Sequence, residues 1–366
     1  MKTLVLLFIV LAAVSAQFPS GLSYFGNTAE KIASNIQTGI GVIAPSLTSV
    51  PIVSNVQNFA DFVAQTGKTY ASAAEQKLRE GLFTARKTLV ETNNAAFSAG
   101  LSTYKSAVNA FSDLTNTEFL KQLTGNKKSA KGEERAKKHR KISKTSIDGK
   151  LPKSFDWRQK GGVTPVKFQG ECGSCWSFAV TGAIEGHIFR KTGNLPNLSE
   201  QHLIDCGKEE FGLLGCDGGY QEYGFEFVIN QKGIAVGDKY IYVGKKNECH
   251  YRQSLKGVEI DGFATIPSND ENAMMEVIAT SGPLACSVNA LESLLLYKQG
   301  IYNDDECNKE EVNHAILVVG YGSENNQDIW IVKNSWDKVW GEEGYFKLPR
   351  GKNFCGIATE CSYPLV

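Results

Sequence analysis

The sequence predicts an α+β chain of two packed lobes behind a helical leader, and three observations predict it. Apolar, Ala-rich sequence over residues 176–188 reads as one buried helix. Apolar runs at 315–320, 329–332 and 344–348 come later and read as buried strands. Past Leu151 the composition shifts to that of a compact domain, with frequent Gly and aromatic residues and all nine cysteines. Helices first and strands second favour two packed layers around an α+β core over an alternating parallel sheet. No internal repeat is present.

The chain, 366 residues with 42% apolar and 21% charged side chains, has the composition of a globular protein, which excludes a disordered or fibrous one. At residues 1–16 Lys2 precedes an apolar run from Leu4 to Val14 and a small-residue Val14-Ser15-Ala16 site, the pattern of a secretory signal peptide. The run is too short to span a bilayer. The mature protein is therefore expected free of the membrane, after passage through an oxidising compartment. Residues 17–57 are rich in Ser, Gly, Ala and Asn, and no fold is assigned to them. From Asn58 to Arg86 the spacing of Phe59, Phe62 and Val63, then of Leu78, Leu82 and Phe83, predicts amphipathic helices, with Glu75 and Arg79 four apart on one face.

Net charge is zero but unevenly spread. Residues 1–150 hold 19 basic against 10 acidic side chains and residues 151–366 hold 20 against 29, so the two parts carry +9 and −9. Opposite charge favours their association, and protonation of carboxylates weakens it. Residues 121–150 concentrate the basic excess at Lys137, Lys138, Arg140 and Lys141. No aromatic residues interleave them, so a nucleic-acid surface is disfavoured and a solvated, disordered linker expected.

Nine cysteines are an odd number, so four disulfides leave one thiol. The stretch Gln169-Gly170-Glu171-Cys172-Gly173-Ser174-Cys175-Trp176 makes Cys175 the candidate. It stands where a Gly-containing turn meets a helix N-terminus, whose unpaired N–H groups stabilise a thiolate. A redox Cys-x-x-Cys, half a zinc site or two structural half-cystines are the alternatives. No βαβ pattern and no second Cys-x-x-Cys or His-x₃-His accompanies the pair. His314 follows Cys175 by 139 residues in a chain with only five His, and Asn334 follows in Lys333-Asn334-Ser335-Trp336. A cysteine hydrolase needs a thiolate, an imidazolium, a group that fixes the ring and an oxyanion donor, for which Gln169 stands ready beside the Cys175 N–H.

From residue 58 to the C-terminus the chain resembles the papain family in its cathepsin L-like branch, through Cys-Gly-Ser-Cys-Trp, Asn-His-Ala and Lys-Asn-Ser-Trp in order and spacing. The resemblance implies a helical lobe and a β-barrel-like lobe with the cleft between them. It also implies Cys175 as nucleophile, His314 as acid/base, Asn334 as orienter under Trp336, and Gln169 in the oxyanion hole. Gly218, Gly219, Tyr220, Ser287, Asn313 and Ala315 would line the substrate cleft, with Glu360 at the floor of the S2 pocket. A carboxylate there would pair with a substrate Arg, and aromatic side chains would fill the same space when it turns away.

Glu75, Arg79, Phe83 and Asn93 fit the family's inhibitory propeptide over 58–120, with Arg86 where that pattern has Asn and Leu89 where it has Ile. Asn109, Phe111 and Asp113 fit its second motif, with Ala107 in place of Gly. Residues 121–150 would be a basic activation linker cut near Lys150, and 151–366 the mature peptidase. The implied disulfides are Cys172–Cys216, Cys206–Cys249 and Cys307–Cys355, with Cys286 and Cys361 either bonded or free. No His-His occluding segment follows Cys249, which favours endopeptidase activity.

The expectation is an acid-activated zymogen, monomeric, acting on proteins and peptides, inhibited by its own propeptide, and needing no cofactor or metal. The rival is a catalytically silent papain-like protein that binds peptides. Asn197-Leu198-Ser199 is the only glycosylation sequon, and Ser199 also reads as a helix N-cap. A lysosomal or an extracellular destination, including a gut lumen, fits the signal peptide.

Overall fold

A computed structural model describes residues 49–143, 151–307 and 311–366; the signal peptide, most of the extension and the linker end near Lys150 lie outside the described residues. The chain divides into two units, Met1–Pro45 with Tyr70–Leu78, and Ser46–Thr69 with Arg79–Val366. Of the first unit the described part is residues 70–78, a turn leading into a helix, where Glu75 accepts the Ala71 N–H at 2.8 Å.

In the second unit helix α1 (Phe59–Thr66) starts at Asn58, whose side chain caps the Asp61 N–H, and stops at the left-handed Gly67. The helical periodicity continues in α2 (Ala73–Ser98), of which the residues from Arg79 on belong to this unit. Phe59, Phe62 and Phe83 cluster with ring centroids 5.0–6.0 Å apart and form the small core of the leader. Strand β1 (Tyr104–Ser106) and helix α3 (Asn116–Gln122) follow, the latter opened by a Thr115–Glu118 capping box. Next come α4 (Ala130–Ala136), β2 (Arg140–Ile142) and β3 (Phe155–Asp156).

The long helix α5 (Cys175–Thr192) is buried along most of its length, α6 (Glu200–Cys206) is capped by Ser199, and α7 (Gln221–Asn230) completes the helical lobe. The remainder is strand-rich: β4 (Ile234–Ala235), β5 (Lys256–Val258), β6 (Gly262–Thr265), α8 (Glu271–Thr280), β7 (Leu284–Val288), α9 (Glu292–Leu295), β8 (Tyr297–Gly300), β9 (His314–Glu324), β10 (Gln327–Lys333), β11 (Tyr345–Pro349) and β12 (Cys361–Leu365). The main sheet runs β11-β10-β9-β7-β12-β6-β2, with β3 pairing on β9.

Strand β9 explains the two lobes. Successive side chains of a strand point to opposite faces. Ala315, Leu317 and Val319 join the helical core around Trp176, Val180 and Ile184. Ile316 and Val318 join the other core, around Trp330 and Phe346. An apolar run buried on both faces is what a central strand requires.

The leader is built into this architecture. Strand β1 pairs antiparallel with β8, and β2 adds to the edge of the main sheet parallel to β6. The disordered-linker expectation for 121–150 is therefore corrected over 121–143. Arg140 bonds both oxygens of Glu133 and pairs with the buried Glu222, while His139 Nδ1 lies 2.7 Å from the buried Glu226. The charges of the segment are matched by carboxylates distant in sequence, so it is ordered. Residues 49–57 are seated too: Val50 is buried in the strand-rich core and donates its N–H to Asp337 at 3.1 Å.

Candidate active site

Cys175 is the first residue of α5, fully buried, and the one free cysteine among the described residues. The other eight are bonded as Cys172–Cys216, Cys206–Cys249, Cys286–Cys361 and Cys307–Cys355. β9 brings His314 beside the thiol, because the N–H of the next residue, Ala315, donates to Cys175 Sγ at 3.4 Å. Asn334, just past β10, places Oδ1 2.8 Å from His314 Nε2. That contact keeps the ring proton on Nε2 and leaves Nδ1 buried without a hydrogen-bond partner. Trp336 covers the ring at a centroid distance of 4.9 Å.

Burial pushes the Cys175 thiol up to about 12, against the lowering by backbone N–H groups of Ala315 and Trp176. Burial also pushes His314 down to about 4, against the hydrogen bond to Asn334. With the site covered as it is here, both groups are neutral at pH 7. Desolvation by burial is the cause in both, and the leader segment lies across the site.

That cover can be followed residue by residue. Trp336 Nε1 donates to the Leu123 carbonyl at 2.9 Å. Gln169 Nε2 donates to the Gln122 carbonyl at 3.0 Å and to the Cys172 carbonyl at 2.9 Å, while Gln169 Oε1 accepts from Ser335 at 2.6 Å. The Asn313 carbonyl accepts the N–H groups of Gly125 and Asn126. Gly219 donates to Gly125 O at 3.0 Å and accepts from the Lys127 N–H at 2.6 Å, giving a parallel bridge between Asn126 and Gly219. Gly218 accepts the Leu214 N–H and turns the chain at φ 117°. Gly125 crosses Gly173 so closely that a Cβ on it would sit 2.1 Å from the Gly173 carbonyl oxygen.

Beyond this crossing the segment fills a polar pocket. Asn126 Nδ2 donates to Ser287 Oγ at 2.7 Å, and Ser287 Oγ donates to Glu360 Oε2 at 3.2 Å. Lys128 reaches Glu360 Oε1 at 2.6 Å and lies over the Tyr220 ring, 5.0 Å from its centroid. Glu360 thus faces the pocket.

The leader's motif residues hold this cover in place. Arg79 makes two hydrogen bonds to Glu118 and one to the Asp113 carbonyl, and Asp113 pairs with Lys68. Asn93 Nδ2 bonds the Tyr104 carbonyl and Ser106 Oγ. Asn109 Nδ2 reaches the Leu295 carbonyl at 2.7 Å, and Phe111 packs near Phe168, 6.2 Å between centroids. Phe83 is buried in the leader core. Arg86, the departure from the family pattern, is also buried. It bonds the Phe111 and Leu114 carbonyls and, at 2.6 Å, Glu292 of the strand-rich part. Gln122, Leu123, Gly125, Asn126 and Lys128 were not singled out in the sequence. Of these only Gly125 carries a local signal, and a weak one.

Comparison with known proteins agrees with this geometry. Residues 151–365 match the family described as papain family cysteine protease, and residues 59–119 match the cathepsin propeptide inhibitor domain. The chain is 40% identical over 313 residues to a cathepsin L-like peptidase of Aedes aegypti, covering 83% of this chain and 91% of that protein. It is 41% identical over 310 residues to human cathepsin L2, covering 82% and 90%. A solved structure of digestive procathepsin L 3 from Tenebrio molitor larval midgut superposes with a TM-score of 0.77 at 38% identity, covering 84% of this chain and 98% of that one.

Proposed function

Because the chain belongs to the papain family of cysteine proteases, as a cathepsin L-like zymogen carrying its own inhibitor domain, we propose that Cys175, His314, Asn334 and Gln169 perform its peptide-bond hydrolysis. The observation that carries the assignment is the His314–Asn334 contact at 2.8 Å beside a free thiol at a helix N-terminus. Cys175 gives its proton to the bare Nδ1 of His314, and Sγ attacks the substrate carbonyl carbon. The oxyanion is held by the Cys175 N–H and Gln169 Nε2; that Gln169 Nε2 already grips a peptide carbonyl, that of Gln122, supports the role. The imidazolium protonates the leaving amine as the C–N bond breaks. Water, deprotonated by His314, then hydrolyses the thioester and releases the acid and the free thiol.

Glu360 selects a basic side chain in the S2 pocket and leaves room for aromatic ones when it turns aside. The seating of Lys128 on Glu360 and Tyr220 supports this reading. Trp336, Gly218, Gly219, Asn313 and Ala315 line the remaining cleft. Acid releases the propeptide. Its Arg79–Glu118 contact supports this: burial raises the Glu118 carboxyl, but the hydrogen bonds and charge of Arg79 together with the Thr115 hydrogen bonds outweigh burial and hold it below its ordinary range, so acid neutralises a charge that Arg79 needs. The endopeptidase works as a monomer on proteins and peptides in an acidic compartment of the secretory route, the lysosome or an extracellular lumen. Among the described residues no helix is long and apolar enough to cross a membrane.

The test is peptidase activity of the acid-treated precursor beside Cys175→Ala, on paired substrates with Phe or Arg at the S2 position. Cleavage of both, abolished by Cys175→Ala, is expected. Cleavage of the Phe substrate alone removes the Glu360 role, and activity surviving Cys175→Ala removes the thiol mechanism.

A further inference from the structure

Outside the cleft, residues 129–143 lie on a face formed by α7 and β6. Its floor is aromatic. Tyr223 Oη donates to the Ser129 carbonyl at 3.0 Å and accepts the Ser129 N–H at 3.2 Å. Gly132 approaches the same ring so closely that a Cβ would stand 2.5 Å from it. The Arg135 guanidinium sits 4.5 Å above the Phe211 ring. The walls are acidic: Glu209 faces Lys131, Glu210 faces Arg135, Glu222 faces Arg140 and Glu226 faces His139. The last two carboxylates have side-chain exposures of only 8% and 2%. Beyond the helix, β2 supplies the outer strand to β6, and the Ser143 N–H reaches the Thr265 carbonyl at 2.8 Å.

Propeptide removal changes this surface in a specific way. Buried carboxylates lose their cations, and β6 becomes a sheet edge with unpaired N–H and C=O groups, a template for another strand. The face also continues from the substrate pocket without a gap, since Lys128 lies on Glu360 and the next residue, Ser129, is already on Tyr223.

We propose that, in the mature enzyme, this face is a second docking surface that binds a Lys/Arg-rich segment of a polypeptide substrate in the same helix-then-strand form. The proposal rests on the reading of the chain as a protease freed from its propeptide. It assigns Glu209, Glu210, Glu222, Glu226, Phe211 and Tyr223 to recognition of substrate remote from the scissile bond. Long basic substrates are held at two places and short ones at the cleft alone, and the second contact raises affinity through effective concentration.

The test uses mature enzyme alkylated at Cys175 and, as probe, a labelled synthetic peptide of residues 129–143. Saturable one-to-one binding that weakens with salt is expected, reduced about tenfold or more in the Glu222→Gln/Glu226→Gln double variant by loss of two charge-assisted contacts. No binding to the unsubstituted enzyme, or equal binding to the variant, overturns the proposal. Unalkylated enzyme adds a second reading. The variant is expected to lose kcat/KM on a protein with a Lys/Arg-rich tail and to keep it on a short peptide, which also shows that it is folded. Equal effects on both substrates overturn the proposal. Failure of short-peptide cleavage in the unsubstituted enzyme would count against the catalytic assignment, while the binding measurement still decides this one.

Discussion

The Lys128 ammonium of the propeptide lies 2.6 Å from the Glu360 carboxylate, so the side chain proposed for the specificity pocket also holds the covering segment. The two uses differ in size. Lys128 is half exposed, and an exposed pair contributes about 1 kcal/mol or less, so Lys128→Ala is expected to weaken inhibition by added propeptide about fivefold at most. An Arg enclosed in the pocket makes charge-assisted hydrogen bonds, so Glu360→Gln is expected to cut kcat/KM on Arg substrates by about 10- to 100-fold while sparing Phe. Inhibition constants and paired-substrate kinetics measure both. The double variant should inhibit no worse than the weaker single one.

Closure of the precursor should silence the thiol. With Cys175 pushed up to about 12 and His314 down to about 4, the closed site holds a neutral pair at pH 7. Iodoacetamide is therefore expected to alkylate the precursor at least about a hundredfold more slowly than the mature enzyme, whose hydrated helix N-terminus stabilises the thiolate. Equal rates would refute this.

The lowered His314 value also gives acid lability a direction. If opening returns His314 to its ordinary 6.5, then between 6.5 and the closed value of about 4 the open state binds the proton that the closed state refuses. Stability of the closed form is thus intact above pH 6.5 and declines as pH falls toward 4, by roughly 3 kcal/mol at most. Glu118, held low, adds a loss below about 4.5, its ordinary value. Propeptide dissociation followed against pH should steepen over both ranges, and Glu118→Gln should flatten the lower one.

Gly125→Ala puts a methyl group 2.1 Å from the Gly173 carbonyl at a backbone φ of 139°. Neither backbone can yield without lifting the segment off Cys175. A precursor with at least about tenfold more residual activity is expected, by loss of more than 1.4 kcal/mol of closure. An enzyme that begins at residue 151 lacks residue 125 and should be unchanged.

Asn334→Ala should lower kcat by about 10- to 1,000-fold with little change in KM, because the His314 ring loses the acceptor that fixes its tautomer. Thermal unfolding of the mature variant should move by only a few degrees. A large fall in Tm with normal kcat would show a structural role instead.

The fold was legible where local pattern and burial agree. The apolar segment behind Cys175 is α5, and the runs at 315–320, 329–332 and 344–348 lie in β9, β10 and β11. Cys175 and His314 could be singled out because Cys and His are few, and Asn334 only through its Lys-Asn-Ser-Trp segment. The path of residues 121–143 was not. Its composition is that of a solvated chain, and it is carboxylates more than eighty residues away, Glu222 and Glu226, that tie Arg140 and His139 to the rest of the chain. Arg86 was read as a departure, yet its partner Glu292 lies 206 residues on, where no local pattern reaches. Gln169 was expected beside the Cys175 N–H; in the closed form its amide is engaged by a carbonyl of the covering segment.

All four disulfides join residues beyond Leu151, and residues 1–150 contain no cysteine. One backbone cut therefore turns an intramolecular clasp into an ordinary bimolecular complex, and no reductant is required. The tethered segment acts at an effective concentration of about millimolar, whereas the severed one acts at whatever concentration its surroundings allow. Dilution then completes what cleavage begins. A severed inhibitor confined to a small volume is expected to rebind more than one released into a large volume.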